Sequence, residues 1–334
     1  MPKKTWSARS YHDEDIDLSA LAGKTIAVLG FGSQGEAQAL NMRDSGLRVI
    51  VGLKKGSASW AKAEDKGFEV LETGDAAQRA DIIHVLIPDE MHGEVYEKDI
   101  KPRLKPGKTL SFSHGFSIVY GFIRPPKDVD VILISPKAPG KSVRDKFLGG
   151  NGVTGVFAVK QNYSGNAKGT ALAIAKAIGL RRVEVSECTC EQETHVNLFA
   201  EQAVLCGGLS ELIKAGFETI VDAGYPKKLA YVEVLKQTKL LADLIHEGGI
   251  SHMWSEVSNT AEYGGRTRGP RVVGKEAREK MKAILREVQN GKFANEWIEE
   301  HRSGLKKLRK MRAIDQKERI EKVGREVISL FGKR

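Results

Sequence analysis

Apolar residues come in short, dense runs through the first half of the chain and at helical spacing through the second. The runs at residues 25–29, 47–53, 68–71, 81–87, 108–113, 129–135, 153–160 and 182–185 have the length and β-branched content of buried strands. Helical patterns separate several of them, at residues 33–44, 73–79, 90–96 and 164–178. Alternation of this kind predicts an α/β fold with a mostly parallel, doubly wound sheet. The strand signal stops near Thr194. Long helical patterns follow at 195–217, 227–246, 275–289 and 295–330, with a loop expected over 258–269. Two domains are expected, residues 1–188 and an all-helical 189–334.

The first run leads straight into G-F-G-S-Q-G at residues 30–35, the G-x-G-x-x-G turn of a dinucleotide-binding βαβ unit. Gly30 would allow the tight turn, Gly32 the approach of a pyrophosphate, and Gly35 close packing of helix on strand. Ser33 and Gln34 open the helix whose free N–H groups face the phosphates. Glycine is plentiful here, so the spacing alone is a weak signal; its place between a strand and a helix predicts the cofactor. The end of the second strand selects which one. No carboxylate follows it until Glu64, while Lys54, Lys55, Ser57 and Ser59 offer charge and hydroxyls to a 2′-phosphate, which predicts NADPH. Sites in such sheets lie at the carboxyl ends of the strands. His114 and Lys137 fall there, and each is equally open to a plain loop role.

Charge adds a question and then removes it. The chain holds 53 Lys and Arg against 43 Asp and Glu, a formal net charge of +10, which raises nucleic-acid binding as a possible function. Much of the excess is Arg302, Lys306, Lys307, Arg309, Lys310 and Arg312, followed at helical spacing by Asp315, Glu318 and Glu321. That is the pattern of a solvated helix face, so no nucleic-acid partner is expected. With 41% hydrophobic and 29% charged residues the composition is that of a soluble globular protein. No apolar run reaches the roughly 18–20 residues of a membrane span, and the start has no signal-peptide core, so a cytoplasmic protein is expected. Cys188, Cys190 and Cys206 are too few for a disulfide framework, and the C-x-C pair has no second cluster to complete a metal site.

Taken together, the chain resembles the ketol-acid reductoisomerase family, in its short-chain class. The resemblance is carried by G-F-G-S-Q-G at 30–35, V-G-L-K-K-G-S-A-S-W at 51–60, L-I-P-D-E at 86–90, S-H-G-F at 113–116 and P-K-A-P-G at 136–140. It continues with L-F-A-E-Q-A-V-L-C-G-G-L at 198–209, I-K-A-G-F-E-T-I-V-D-A-G-Y at 213–225, E-G-G-I at 247–250 and S-N-T-A-E-Y-G at 258–264. It implies an NADPH-binding Rossmann domain followed by a knotted helical domain that dimerises, each active site using both subunits. It also implies magnesium and a two-step reaction of branched-chain amino-acid biosynthesis, an alkyl shift in a 2-acetolactate-type substrate and then reduction of the 2-keto acid. By position, His114 and Lys137 match the family's active-site histidine and lysine. Gly115 falls beside them and is assigned to the cofactor; Glu262, with Ser258, falls in the motif that lines the substrate pocket.

The chain departs from this pattern at the metal. The family supplies four carboxylates as two i, i+4 pairs, each on one helix face. Here those positions hold Asn197 with Glu201 and Glu233 with Gln237. The site charge falls from about four negative to about two, and amide oxygens are weaker ligands for a hard cation. Asn197 and Gln237 can equally hydrogen-bond each other or a remaining carboxylate. Glu193 shares a helix face with Asn197 and Glu201 at four-residue spacing, whereas His195 points away from Asn197 on a helical wheel and is no replacement. Glu36 stands where the family usually has His, and Gly265 where it has Asp. The expectation is an NADPH-dependent oxidoreductase that reduces a 2-keto acid or related C=O or C=N substrate, using His114, Lys137 and Glu262, with the isomerase step weakened. The alternatives are a working ketol-acid reductoisomerase and a catalytically silent NADPH-binding partner protein.

Overall fold

The computed structural model describes residues 9–12, 15–180 and 185–331. The chain divides into two compact units, Met1–Val196 and Asn197–Arg334.

The described residues of the first unit form a nine-stranded sheet, ordered β1-β9-β8-β7-β6-β5-β2-β3-β4. Its centre is β2 (Thr25–Leu29), in which all five residues are buried. Alternation along β2 sends Ile26 and Val28 to one face and Ala27 and Leu29 to the other, so the strand feeds two separate cores. On the first face, α1 (Ser33–Asp44), α6 (Gly140–Leu148) and α7 (Ala167–Ala177) contribute buried residues such as Met42, Val143 and Ile174. On the second, α3 (Thr73–Arg79) contributes Ala76 and Ala77 beside Tyr96 and Ile100.

Beside β2 run β3 (Arg48–Leu53) and β4 (Glu69–Glu72) on one side, with α2 (Ala58–Asp65) between them in the chain. On the other side lie β5 (Ile82–Val85), β6 (Thr109–Phe112) and β7 (Asp130–Pro136), all parallel to it. The strand order therefore reverses at β2 and β5, the switch point where such sheets bind ligands. The short helices α4 (His92–Val95) and α5 (Phe116–Val119) follow β5 and β6.

Beyond β7 the sheet stops being uniformly parallel. β8 (Gly155–Gln161) runs antiparallel to β7, and β9 (Val185–Glu187) runs parallel to β8. The strand expected at 182–185 lies mostly outside the described residues. Ser10–Tyr11, ahead of the first expected strand, is the edge strand β1, antiparallel to β9.

The helical pattern expected from residue 195 begins earlier, with α8 (Cys190–Ala200). A π-helical turn over Glu201–Leu205 separates it from α9 (Gly207–Asp222), and a second over Val232–Lys236 separates α10 (Lys227–Tyr231) from α11 (Gln237–Glu256). A π turn crowds the carbonyl five residues back: a Cβ on Gly207 would lie 2.1 Å from the Gln202 oxygen. The loop expected over 258–269 is instead a helix, α12 (Asn259–Val272), capped by Ser258 Oγ, which accepts the Ala261 N–H at 3.2 Å. Gly264, Gly265, Gly269 and Pro270 hid it from a pattern reading. After α13 (Lys275–Gln289), the single long pattern at 295–330 divides into α14 (Lys292–Arg302), α15 (Lys306–Asp315) and α16 (Arg319–Phe331). Gly304 and Leu305 make the first break, both at positive φ. Phe217, Ala230, Tyr231, Ile320, Val323 and Val327 form the core that joins α9, α10 and α16.

Candidate functional site

The turn after β2 is built for close approach. A Cβ on Gly30 would meet the Leu86 carbonyl oxygen at 2.7 Å, and one on Gly35 would meet the Gly30 oxygen at 2.2 Å. Gly30 also sits at φ 102°, a conformation that side chains disfavour. Around Gly32 the reverse holds: nothing among the described residues lies within 4 Å of an added Cβ. Open backbone at Gly32, next to the first turn of α1 at Ser33 and Gln34, is a cradle for a phosphate group. At the end of β3, Lys54 and Lys55 are exposed and Ser59 is half-buried. The Ser57 hydroxyl is buried and hydrogen-bonds to no other described residue. A buried hydroxyl without a partner is costly, and a ligand oxygen would satisfy it. These residues fit a phosphorylated dinucleotide.

Three polar groups stand at the carboxyl ends of the neighbouring strands. Asp89, after β5, holds His114, after β6: His114 Nδ1 lies 2.9 Å from Asp89 Oδ2. Burial opposes the charge on Asp89, but the His114 hydrogen bond and the nearby imidazoles outweigh it and hold the carboxyl below its ordinary range. His92 lies 3.8 Å from the same carboxylate and is bonded to the Ile87 carbonyl, and its pKa is lowered by burial. Lys137, after β7, donates to Glu193 Oε1 at 2.7 Å and to Ser135 Oγ at 3.0 Å. Glu193 is fully buried at the start of α8, where it also accepts from Ser135 Oγ (3.0 Å) and the Gly115 N–H (3.3 Å). A Cβ on Gly115 would lie 2.2 Å from Thr194 Oγ1, so packing against α8 requires glycine there, a reason other than the cofactor role expected for it. Sequence reasoning gave Asp89 and Glu193 no place in this site.

Ser258 and Glu262 belong to the helical unit. Ser258 caps α12, and Glu262 accepts from Arg266 Nε at 2.8 Å. Gly265 meets a need of its own: a Cβ there would lie 2.5 Å from the Trp254 ring, over which Arg266 sits at 5.1 Å.

The four positions expected to hold magnesium do not fit a pair of ions. Glu201 opens the first π turn and Glu233 lies in the second. Gln237 donates its Nε2 hydrogen to Glu233 Oε2 at 2.6 Å, which occupies a carboxylate oxygen with an amide. Among the described residues no three His, Cys, Asp or Glu side chains gather as a metal site.

A doubly wound sheet with an open glycine turn, a cationic loop after the second strand and an Asp–His and Lys–Glu pair at its carboxyl edge defines a nicotinamide-nucleotide-dependent oxidoreductase. The family model for the acetohydroxy acid isomeroreductase NADPH-binding domain matches residues 20–184, and that for the ketol-acid reductoisomerase C-terminal domain matches 190–332. The chain belongs to the ketol-acid reductoisomerase family. A ketol-acid reductoisomerase (NADP(+)) of Methanocaldococcus jannaschii is 52% identical over 322 residues, 96% of this chain and 98% of that one. One from Pyrobaculum neutrophilum is 52% identical over 324 residues, 97% and 99% of the two chains. Among solved structures, an NADH-preferring ketol-acid reductoisomerase from an uncultured archean matches with a TM-score of 0.94 at 48% identity, over 97% of this chain and all of that one.

Proposed function

We propose that this chain catalyses an NADPH-dependent reaction of ketol-acid reductoisomerase chemistry on a 2-acetolactate-type acid or the 2-keto acid derived from it. The glycine turn with Ser33 and Gln34 would hold the pyrophosphate, and Lys54, Lys55, Ser57 and Ser59 the 2′-phosphate. When bound, NADPH supplies a hydride to the carbonyl carbon. His114, oriented by Asp89, and Lys137, charge-paired with Glu193, are the groups that can hold or deliver a proton at the carbonyl oxygen. Ser258 and Glu262 are assigned to the substrate. Large apolar side chains exposed on the helical unit, among them Leu205, Leu212, Leu240 and Ile250, support a homodimer, and we place the protein in the cytoplasm.

The complete reaction, 2-acetolactate to 2,3-dihydroxyisovalerate, is the reading with the wider support: relatives about half identical over 96% of the chain carry that name. Reduction alone is the second reading, favoured by one observation, the amides Asn197 and Gln237 at two of four metal positions. With those amides and the Gln237–Glu233 bond, the residues present do not fit the paired ions.

The test is NADPH oxidation by the purified protein with 2-acetolactate and with 3-hydroxy-3-methyl-2-oxobutanoate, each with magnesium and with EDTA. The second compound bypasses the alkyl shift. Turnover of acetolactate only with magnesium establishes the complete reaction. Inert acetolactate beside reduction of the keto acid in EDTA establishes the second reading. Tight NADPH binding with no turnover of either compound refutes both and leaves a silent binding protein.

A further inference from the structure

One chain of side-chain hydrogen bonds runs beneath the site. His84, in the middle of β5, is completely buried and pairs in register with Ser111 of β6. Its Nδ1 lies 2.8 Å from Ser111 Oγ and its Nε2 lies 2.8 Å from Oε1 of the fully buried Gln38. Gln38 Nε2 in turn donates to Gln34 Oε1 at 3.0 Å and to Ser113 Oγ at 3.1 Å. Gln34 Nε2 donates to the Ala138 carbonyl at 2.9 Å.

Only one direction satisfies every member. A carbonyl at Ala138 can only accept, so Gln34 must present its amide nitrogen there and its oxygen to Gln38. Gln38 then donates outward and must accept on its oxygen, which fixes His84 as the Nε2–H tautomer, with Ser111 donating to Nδ1. The three outer ends are significant. Gln34 stands at the start of α1, beside the glycine turn; Ser113 precedes His114; Ala138 follows Lys137. A second contact couples the same segments, since a Cβ on Gly140 would lie 2.1 Å from the Ser33 carbonyl oxygen.

We propose that His84, acting through Gln38, is a positioning residue that locks the nucleotide turn and the His114 and Lys137 segments into one arrangement. Without the His84 N–H, the buried Gln38 oxygen keeps only the long 3.4 Å contact from Ser113 Oγ, and the amide is freer to rotate away from Gln34. The inference rests on the NADPH reading above, so binding of NADPH by the unaltered protein is the control.

The experiment compares His84→Met, which fills similar volume without a donor, with His84→Gln, whose amide nitrogen can reach the place of Nε2. NADPH and NADH binding are followed by nicotinamide fluorescence, and folding by thermal unfolding. The Met variant is expected to bind both nucleotides about tenfold more weakly well below its melting temperature, and the Gln variant within about threefold of the unaltered chain. Equal binding by the Met and Gln variants, or a Met variant within twofold of the unaltered chain, overturns the proposal. Should the Met variant not fold, Ser113→Ala cuts the half-buried outer end instead. The same tenfold loss supports the chain of bonds, and a loss under twofold refutes it. If the unaltered protein binds no NADPH, the functional reading fails and this inference falls with it.

Discussion

His84 also sets a pH dependence of stability that can be worked out from its surroundings. Burial in the first unit pushes the imidazole down to about 4, against an ordinary value of 6.5, while a hydrogen bond with the Ser111 backbone opposes this only in part. The group therefore binds a proton more readily in the unfolded chain, and stability falls as pH drops from 6.5 towards 4. The full span corresponds to about 3 kcal/mol, of which about 2 kcal/mol is lost by pH 5. For a unit of about 200 residues that amounts to roughly 4–8 °C in Tm. Other buried groups titrate too, His92 among them, so the measurement is a difference. Thermal unfolding of the unaltered chain and of His84→Gln is compared at pH 7.5 and pH 5. The gap between them should shift by about 2 kcal/mol in favour of the Gln variant at the lower pH. Parallel melting curves at both pH values would mean that His84 is not a buried neutral imidazole, and the tautomer argument would go with it.

Other perturbations probe the site from different sides. Lys137→Met leaves the buried Glu193 carboxylate without its cation and should cost about 2–3 kcal/mol in denaturant unfolding, part of which returns on adding Glu193→Gln. Asp89→Asn keeps a side chain of the same shape beside His114 but removes its charge. Keto-acid reduction should slow by about tenfold with the KM for NADPH unchanged, and a full-rate variant would exclude the pair from proton handling. Lys54→Glu with Lys55→Glu should raise the Kd for NADPH by more than about tenfold and leave that for NADH nearly unmoved, read by fluorescence titration. Asn197→Asp with Gln237→Glu restores four carboxylates; calorimetry should then detect magnesium binding more than about tenfold tighter than in the unaltered chain. Equal affinity in the two proteins would show that the amides are not what sets it.

The sequence made the nucleotide half legible because its signals are local. Strand, glycine turn and helix follow one another within 20 residues of β2, and the spacing of Gly30, Gly32 and Gly35 has a steric meaning that can be read without coordinates. The pairs that complete the site are not local. Glu193 reaches Lys137 across 56 positions; its four-residue spacing to Asn197 points along its own helix and not to Lys137. Asp89 left a usable signal, a carboxylate directly after the strand next to β2 at the switch point, yet the D in P-D-E drew no role from pattern alone. α12 was missed for the opposite reason: three glycines and a proline lowered its helical signal, while its Ser258 cap was present in the sequence.

The substitutions in the helical unit have a physical logic of their own. Four carboxylates in two i, i+4 pairs repel one another unless cations lie between them, so such a set ties the comfort of two helices to bound metal. Replacing one member of each pair by its amide removes half of that charge while keeping the shape of the side chain. Gln237 goes further, because its new N–H group satisfies Glu233 directly. One Glu233 oxygen is thereby satisfied within the chain. The nucleotide unit carries its glycines, its cationic loop and the Asp89–His114 and Lys137–Glu193 pairs. Two amides among the four expected metal positions are the chemical ground for measuring reduction separately from the alkyl shift.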